Sequence, residues 1–387
     1  MQARWFPGRA RPRICRPRSA ARAALLCVAI AVMAGTPQGP ALAGPVIIPV
    51  GVAPVGIDVH LDRAYVGNNG ENTVSVINTT TNAVVDTVAV GANPSGIAID
   101  QATHSVFVTN AGATTVSLID GLTDVVIATI DVGGNPNLGI AVDQTSDRVY
   151  VPTSGDTVVV IDAITGAVVD TLTSVGAPAG VAIDPAAHRL YVTSATTSLV
   201  YVINTTTDAT VATIPVGNSP VGAALDPVAH RLYVTNAADG TVSAIDTATN
   251  TVIATIAVGA TPIGVAVNSA QDQVYVANQG DNTLTTIDGA TDVVSGTQAT
   301  GTSPTGVAFN PANNSIYVTN QGDNTAQVFA AAASGGGGGG GDGGSGTATP
   351  ELASGELLLL GIGASALVLY RRRRQIGRSL RPDRLPS

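Results

Sequence analysis

An aromatic residue followed by valine recurs at a near-constant period along this chain, at Tyr65, Phe107, Tyr150, Tyr191, Tyr233, Tyr275 and Tyr317. The spacings are 42, 43, 41, 42, 42 and 42 residues. A fixed period of that size, built only from strands, belongs to propellers and related arrays. Each repeat reads as four short runs rich in β-branched residues and bounded by turn residues. From Ser219 onward the runs are Val221–Asp226, Arg231–Asn236, Thr241–Asp246 and Thr251–Gly259. Asp226-Pro227 and the stretch from Asn236 to Gly240 supply the turns: proline presets φ, and glycine allows φ > 0. No segment within the repeats shows a long 3.6-residue apolar period, so little helix is expected there.

Counting the runs sharpens the expectation. The first three types occur seven times each, and the fourth occurs six times between repeats. One unpaired copy of the fourth type, Ile47-Ile48-Pro49-Val50-Gly51, precedes the first repeat. The total is 28 strands, which divide into seven blades of four. The expected fold is all-β: a seven-bladed β-propeller over residues 44–330, with four antiparallel strands per blade. The last blade ends at Gln327-Val328-Phe329 without an outer strand of its own. The N-terminal strand is expected to supply it and close the ring, which protects an edge that an open array would expose.

Tyr233-Val234-Thr235-Asn236 and Tyr317-Val318-Thr319-Asn320 resemble the name motif of the YVTN β-propeller repeat family. Pro220-x-Gly222, Asp226-Pro227 and Ile245-Asp246 are similar to that family's consensus. The resemblance implies the propeller fold. It implies no single activity, since such propellers resemble surface-layer, cell-envelope and cofactor-associated proteins alike, and function resides in sites grafted on folds. Phe107, Pro152 and Ser194 depart from the motif, as substitutions expected to be tolerated locally.

Charge is segregated. The chain has 18 Arg and no Lys; seven Arg precede residue 23 and seven follow residue 370. Residues 44–330 hold four Arg against 23 acidic residues, a formal charge of −19. So acidic a domain repels phosphate backbones, which excludes nucleic acid as the expected partner. Residues 1–43 read as a secretory signal peptide, with an Arg-rich start, an apolar stretch and Ala41-Leu42-Ala43 before Gly44; cleavage is expected between Ala43 and Gly44. Cys15 and Cys27 both fall in that leader, so the mature chain is expected to have no disulfide, thiolate metal site or cysteine nucleophile. Leu26 stands before Cys27 where lipidation wants a small residue.

After the repeats come a Gly-rich linker, residues 331–349, then Pro350-Glu351, an apolar run from Leu357 to Tyr370, and Arg371, Arg372, Arg373 and Arg374. This succession over 350–374 resembles PEP-CTERM sorting tails, which implies recognition by an exosortase-type enzyme. Leu352 stands where that motif has a second proline. The alternative is a plain short membrane anchor, although 14 apolar residues fall short of the roughly 20 a comfortable span needs. Arginine after the run places residues 375–387 as a basic cytoplasmic tail and leaves the propeller outside.

Candidate chemistry is sparse. His60, His104, His188 and His230 all read as residues of the turn between the first and second strands, pointing outward around the ring without converging; a metal or general-base role needs convergence. Glu71, Asp156, Asp239, Asp281 and Asp323 each lie six positions after their aromatic, on the same face as the Val-Gly-x-x-Pro loops. They form either a ligand or cation face, since oxygen ligands suit Ca²⁺, or a set of self-satisfied turns. Asn68, Asn110, Asn236, Asn278 and Asn320 are expected to bond within blades. The inner strands offer Gly, Ala, Val and Ile, with Asp at their ends. Sequons at Asn78, Asn204 and Asn313 arise as easily by chance in a Thr-rich chain. No catalytic residue, cofactor or metal is assigned. The expected function is an exported, surface-displayed, non-enzymatic scaffold for binding, adhesion or the cell envelope. Its propeller is monomeric, and its partner is an envelope or extracellular-matrix polymer or protein. The alternative is a secreted, metal-dependent lactonase-like or hydrolase-like propeller.

Overall fold

The computed structural model describes residues 44–173 and 175–331. Ala43, the linker beyond residue 331, and the tail residues Pro350, Glu351 and Arg371–Arg374 lie outside the described residues. Among the described residues there are 28 strands in seven four-stranded antiparallel sheets, and no helix. Six sheets take their strands in simple succession, as in Pro220–Asp226, Arg231–Asn236, Thr241–Asp246 and Thr251–Ala257. The seventh joins Val46–Pro49 to Thr325–Ala330, with Val46 opposite Val328 and Pro49 opposite Thr325. The N-terminal strand therefore completes the last blade, as the strand count requires.

The blades pack face to face, and this explains why their middle strands are apolar on both sides. The second strand of every blade is buried along its length after its first residue. Its aromatic is fully enclosed: Tyr65, Phe107, Tyr150, Tyr191, Tyr233, Tyr275 and Tyr317 are the largest wholly buried side chains. Burying each stabilises the ring by roughly 2 kcal/mol. The outermost strands face solvent and alternate more weakly, as in Ala83–Ala89.

Two repeated devices join one blade to the next. The first is the glycine of Pro-x-Gly on the innermost strand. A Cβ on Gly56 would overlap the carbonyl oxygen of Ser95 in the next blade, and one on Gly306 would overlap that of Val55, across the closure. The same approach is made by Gly96, Gly139, Gly180, Gly222 and Gly264, so inner strands pack at a distance that only glycine permits. The second is the threonine of Tyr-Val-Thr-Asn. Its hydroxyl accepts the glycine N–H of its own blade and donates to the next blade's carbonyl, as Thr235 does with Gly222 (2.8 Å) and Ile263 (2.9 Å). Thr319 makes the equivalent bond to Val55 at 2.7 Å and thereby ties blade 7 to blade 1. The Tyr317 hydroxyl adds bonds to Thr79 and Asn82 across the same seam.

Blade 3 departs from this pattern. Its loop reads Pro136-Asn137-Leu138-Gly139, one residue longer than Pro-x-Gly elsewhere, and its innermost strand shrinks to Ala141–Asp143. Pro152 there also lacks the threonine hydroxyl, and Asn137 instead donates from its side-chain amide to Pro178 of blade 4. The blade survives its substitution because a different side chain bridges the seam. Among the described residues, the lower rim carries three inter-blade ion pairs, Arg63–Asp124, Arg148–Asp208 and Arg231–Asp292.

Candidate functional site

The upper face holds the turns between second and third strands together with the loops that enter each blade. The structure brings the five acidic residues to this face and gives four of them bracing work. Asp239 accepts the Asn218 backbone N–H at 2.7 Å and its side-chain amide at 2.9 Å. Asp281 accepts Ala260 N–H at 2.7 Å, Asp323 accepts Thr302 N–H at 2.6 Å, and Asp156 accepts Ala177 N–H at 3.1 Å. The two bonds from Asn218 hold the Asp239 carboxyl below the usual range. Glu71 lies over Gly51 in the equivalent loop. Asp239, Asp281 and Asp323 brace the entry loops of their own blades, whereas Asp156 braces the loop that enters blade 4.

The asparagine set is likewise internal. Asn236 donates to Thr241 and Ser243, and Asn68, Asn110, Asn278 and Asn320 repeat the arrangement. A Cβ on the loop glycines Gly91, Gly217 or Gly259 would collide with these asparagines, which accounts for the Val-Gly of each loop. Asn78 and Asn204 accept backbone N–H groups two and three residues ahead, as turn formers do.

At the centre of this face the channel opens into a depression of about 370 Å³. Here the sevenfold pattern breaks. The residue after the Tyr-Val-Thr-Asn asparagine is Asn69, Gln279 or Gln321 in three consecutive blades of the ring, and alanine in blades 2, 4 and 5. The three amides line the depression beside aliphatic Val55, Leu138 and Ile263. Below it, the channel wall is mostly glycine and aliphatic side chains, with Ser95 and Thr305, around a volume of about 170 Å³.

The channel wall and lower rim hold the residues that the sequence reading missed. Asp58 lies within an innermost strand, where the other six blades have Ala98, Ala141, Ala182, Ala224, Ala266 and Ala308. It accepts N–H bonds from Val59 (2.8 Å) and, across the seam, from Ile99 (3.0 Å). The residue keeps some exposure, yet its carboxyl sits between two strands; loss of water there pushes its pKa up to about 7, against those two bonds. The expectation that inner strands carry acids only at their ends is corrected at this position.

The histidines need a second correction. His60 ends its strand opposite Arg63, because the blade 1 turn is two residues shorter than that of blade 2, where Asp100 pairs with Ser105. The matching residues elsewhere are Asp or Asn, and Asp100, Asp143, Asp184, Asp226 and Asn310 each accept backbone N–H groups of their own turn. An imidazole cannot fill that role in so short a turn, so His60 reaches across to blade 2. Its Nε2 lies 2.6 Å from Nδ1 of His104, and its Nδ1 contacts Oε1 of Gln101. These two histidines therefore converge, whereas His188 and His230 remain exposed in their turns. Aligning the seven repeats exposes both Asp58 and His60 as departures from an otherwise uniform column. Among the described residues, no group of three or more His, Cys, Asp or Glu is arranged to hold a metal ion.

No family model matches the sequence, and no curated protein does. Among solved structures, Kuenenia stuttgartiensis hydrazine synthase is similar with a TM-score of 0.65 at 21% identity, covering 77% of this chain and 99% of that one. At that identity the likeness shows a shared propeller fold. Among the described residues no helix is long and apolar enough to cross a membrane.

Proposed function

We propose that this chain is an exported, surface-displayed propeller that binds an uncharged envelope or matrix polysaccharide without turning it over. The observation that carries this reading is the upper depression, where three half-buried amides stand beside aliphatic side chains. Primary amides offer paired donors and acceptors that suit hydroxyl and acetamido groups. The domain's charge of −19 disfavours polyanions. The leader and the sorting-type tail read from the sequence supply export and display, with release by an exosortase-type enzyme or retention by a short anchor. The repeats' resemblance to the YVTN family supports the same setting.

The test is sedimentation of the full chain with purified neutral envelope polysaccharide, compared with a Gln279→Ala/Gln321→Ala double variant. Binding that falls at least tenfold in the variant supports the reading; equal binding moves the seat away from the depression. Turnover of lactone or ester substrates by the wild-type chain would replace this reading with the hydrolase. Metal binding by carboxylates needs several of them, and the Asp58 carboxyl is turned into the seam toward Ile99.

A further inference from the structure

We propose that His60 and His104 form a binding site for a divalent transition-metal ion, of the Zn²⁺ or Cu²⁺ class, on the lower rim between blades 1 and 2. The site is separate from the upper depression and does not depend on what that depression binds.

The argument begins with the tautomer. The Gln101 side-chain nitrogen donates to Val59 O at 3.2 Å, which fixes the amide with Oε1 toward His60. An amide oxygen only accepts, so His60 must carry its proton on Nδ1. Its Nε2 is then a lone pair, aimed at His104 Nδ1. A histidine that donates one ring N–H to an anchored oxygen and presents the other nitrogen is the arrangement that metal-ligating histidines adopt. With no cation, His104 must place a proton between the two rings to satisfy the contact. Moving that proton to the far nitrogen of His104 leaves two facing lone pairs. Two metal–nitrogen bonds of about 2.0 Å at a tetrahedral angle need nitrogens about 3.3 Å apart, a small opening from 2.6 Å.

The surroundings favour a cation. The charges of Asp62 and Asp100 both act on His60 in the direction that stabilises positive charge. The Asp100 carboxylate is itself committed to its own turn through Ala102 and Thr103. Both imidazoles are half-buried, so each is partly ordered before binding. Burial, the largest effect, and the neighbouring His104 shift His60 downward from the usual histidine range, and the Gln101 bond acts against them. Two nitrogens leave the remaining coordination positions to water. Imidazole nitrogen suits Cu²⁺, Zn²⁺ and Ni²⁺ over Mg²⁺ and Ca²⁺.

The experiment titrates the full chain with Cu²⁺ alone and records the electron paramagnetic resonance spectrum. Superhyperfine coupling from two nitrogens at one equivalent is the expected result, and it needs no variant. His60→Gln and His104→Gln are each expected to weaken binding at least tenfold, while His188→Gln and His230→Gln leave it unchanged. Gln101→Leu is expected to weaken it about tenfold through loss of ring orientation. Thermal melting with Zn²⁺ checks that the variants fold, and only chains with both histidines should gain stability from the metal. A spectrum lacking two coupled nitrogens would overturn the site, as would unchanged binding in both His60→Gln and His104→Gln.

Discussion

The seam between blades 5 and 6 and the seam between blades 1 and 2 occupy equivalent places in the ring but are held by different chemistry. At blades 5 and 6 the inner strand carries Ala224, and Thr235 staples Gly222 to Ile263. Asp226 closes its own turn. At blades 1 and 2 the threonine position is Gly67, the alanine position is Asp58, and the turn-closing position is His60. A hydroxyl bridge is thus replaced by a carboxylate that accepts Ile99 N–H and by an imidazole pair. The glycine–carbonyl approach and the arginine–aspartate pair persist at both seams. Backbone geometry is therefore common to the two seams, and side-chain chemistry is free to vary on top of it.

The largest expected effect tests what the seams share. Gly222→Ala and Gly56→Ala each force a Cβ onto a neighbouring blade's carbonyl, and each should cost about 3 kcal/mol in chemical denaturation. A clearly milder Gly56→Ala would mean that the blade 1–2 seam is looser, and the comparison would fail at its base.

A smaller effect separates the seams by pH. Asp58 binds its proton more tightly folded than unfolded, so its contribution to stability is complete below pH 4 and is lost as pH rises through about 7. Asp58→Ala gives blade 1 the residue of the other six blades. It should raise stability by about 2 kcal/mol at pH 8 and flatten the dependence of Tm on pH between 5 and 8. A wild-type Tm that stays level across that range would contradict the buried carboxyl.

The smallest effect adds the missing staple. A Cβ on Gly67 meets only ordinary contacts, Pro94 O at 3.5 Å and Ile97 Cδ1 at 3.6 Å. Gly67→Thr removes a strand glycine and supplies a hydroxyl placed to bridge Gly56 and Ser95, for a gain of about 1 kcal/mol. A loss of stability would show that Asp58 sets a seam geometry incompatible with the threonine bridge.

The architecture was legible because each signal is repeated seven times. Turn residues, β-branched runs and the buried aromatic agree from blade to blade, and the unpaired run before the first repeat left one way to complete 28 strands. The same regularity concealed the exceptions. His60 looked like a turn residue because it falls between the first and second strands, although it stands five residues before its aromatic and the other histidines stand three before theirs. The turn is in fact two residues shorter, which puts His60 on a strand end. Asp58 was read as part of an aliphatic inner strand, and its burial depends on a neighbouring blade that pattern alone does not place. The acidic residues lie on the face of the entry loops. That four of them spend their oxygens on entry loops 21 residues away in sequence depends on how those loops fold. The extra residue in blade 3 was visible as a spacing of 43, but its consequence, an inner strand of three residues, was not.

The pairing of Val46–Pro49 with Thr325–Ala330 also bears on time. A ribosome delivers the closing strand first and its partner last, so nearly the whole propeller must be synthesised before that partner exists. Until then Ile48, 2% exposed in the finished ring, has no place to bury. A contact so distant in sequence forms slowly, and blades awaiting it present an open sheet edge. In the finished molecule Val46–Pro49 covers the edge of Thr325–Ala330, but every copy passes through an interval in which that edge is bare.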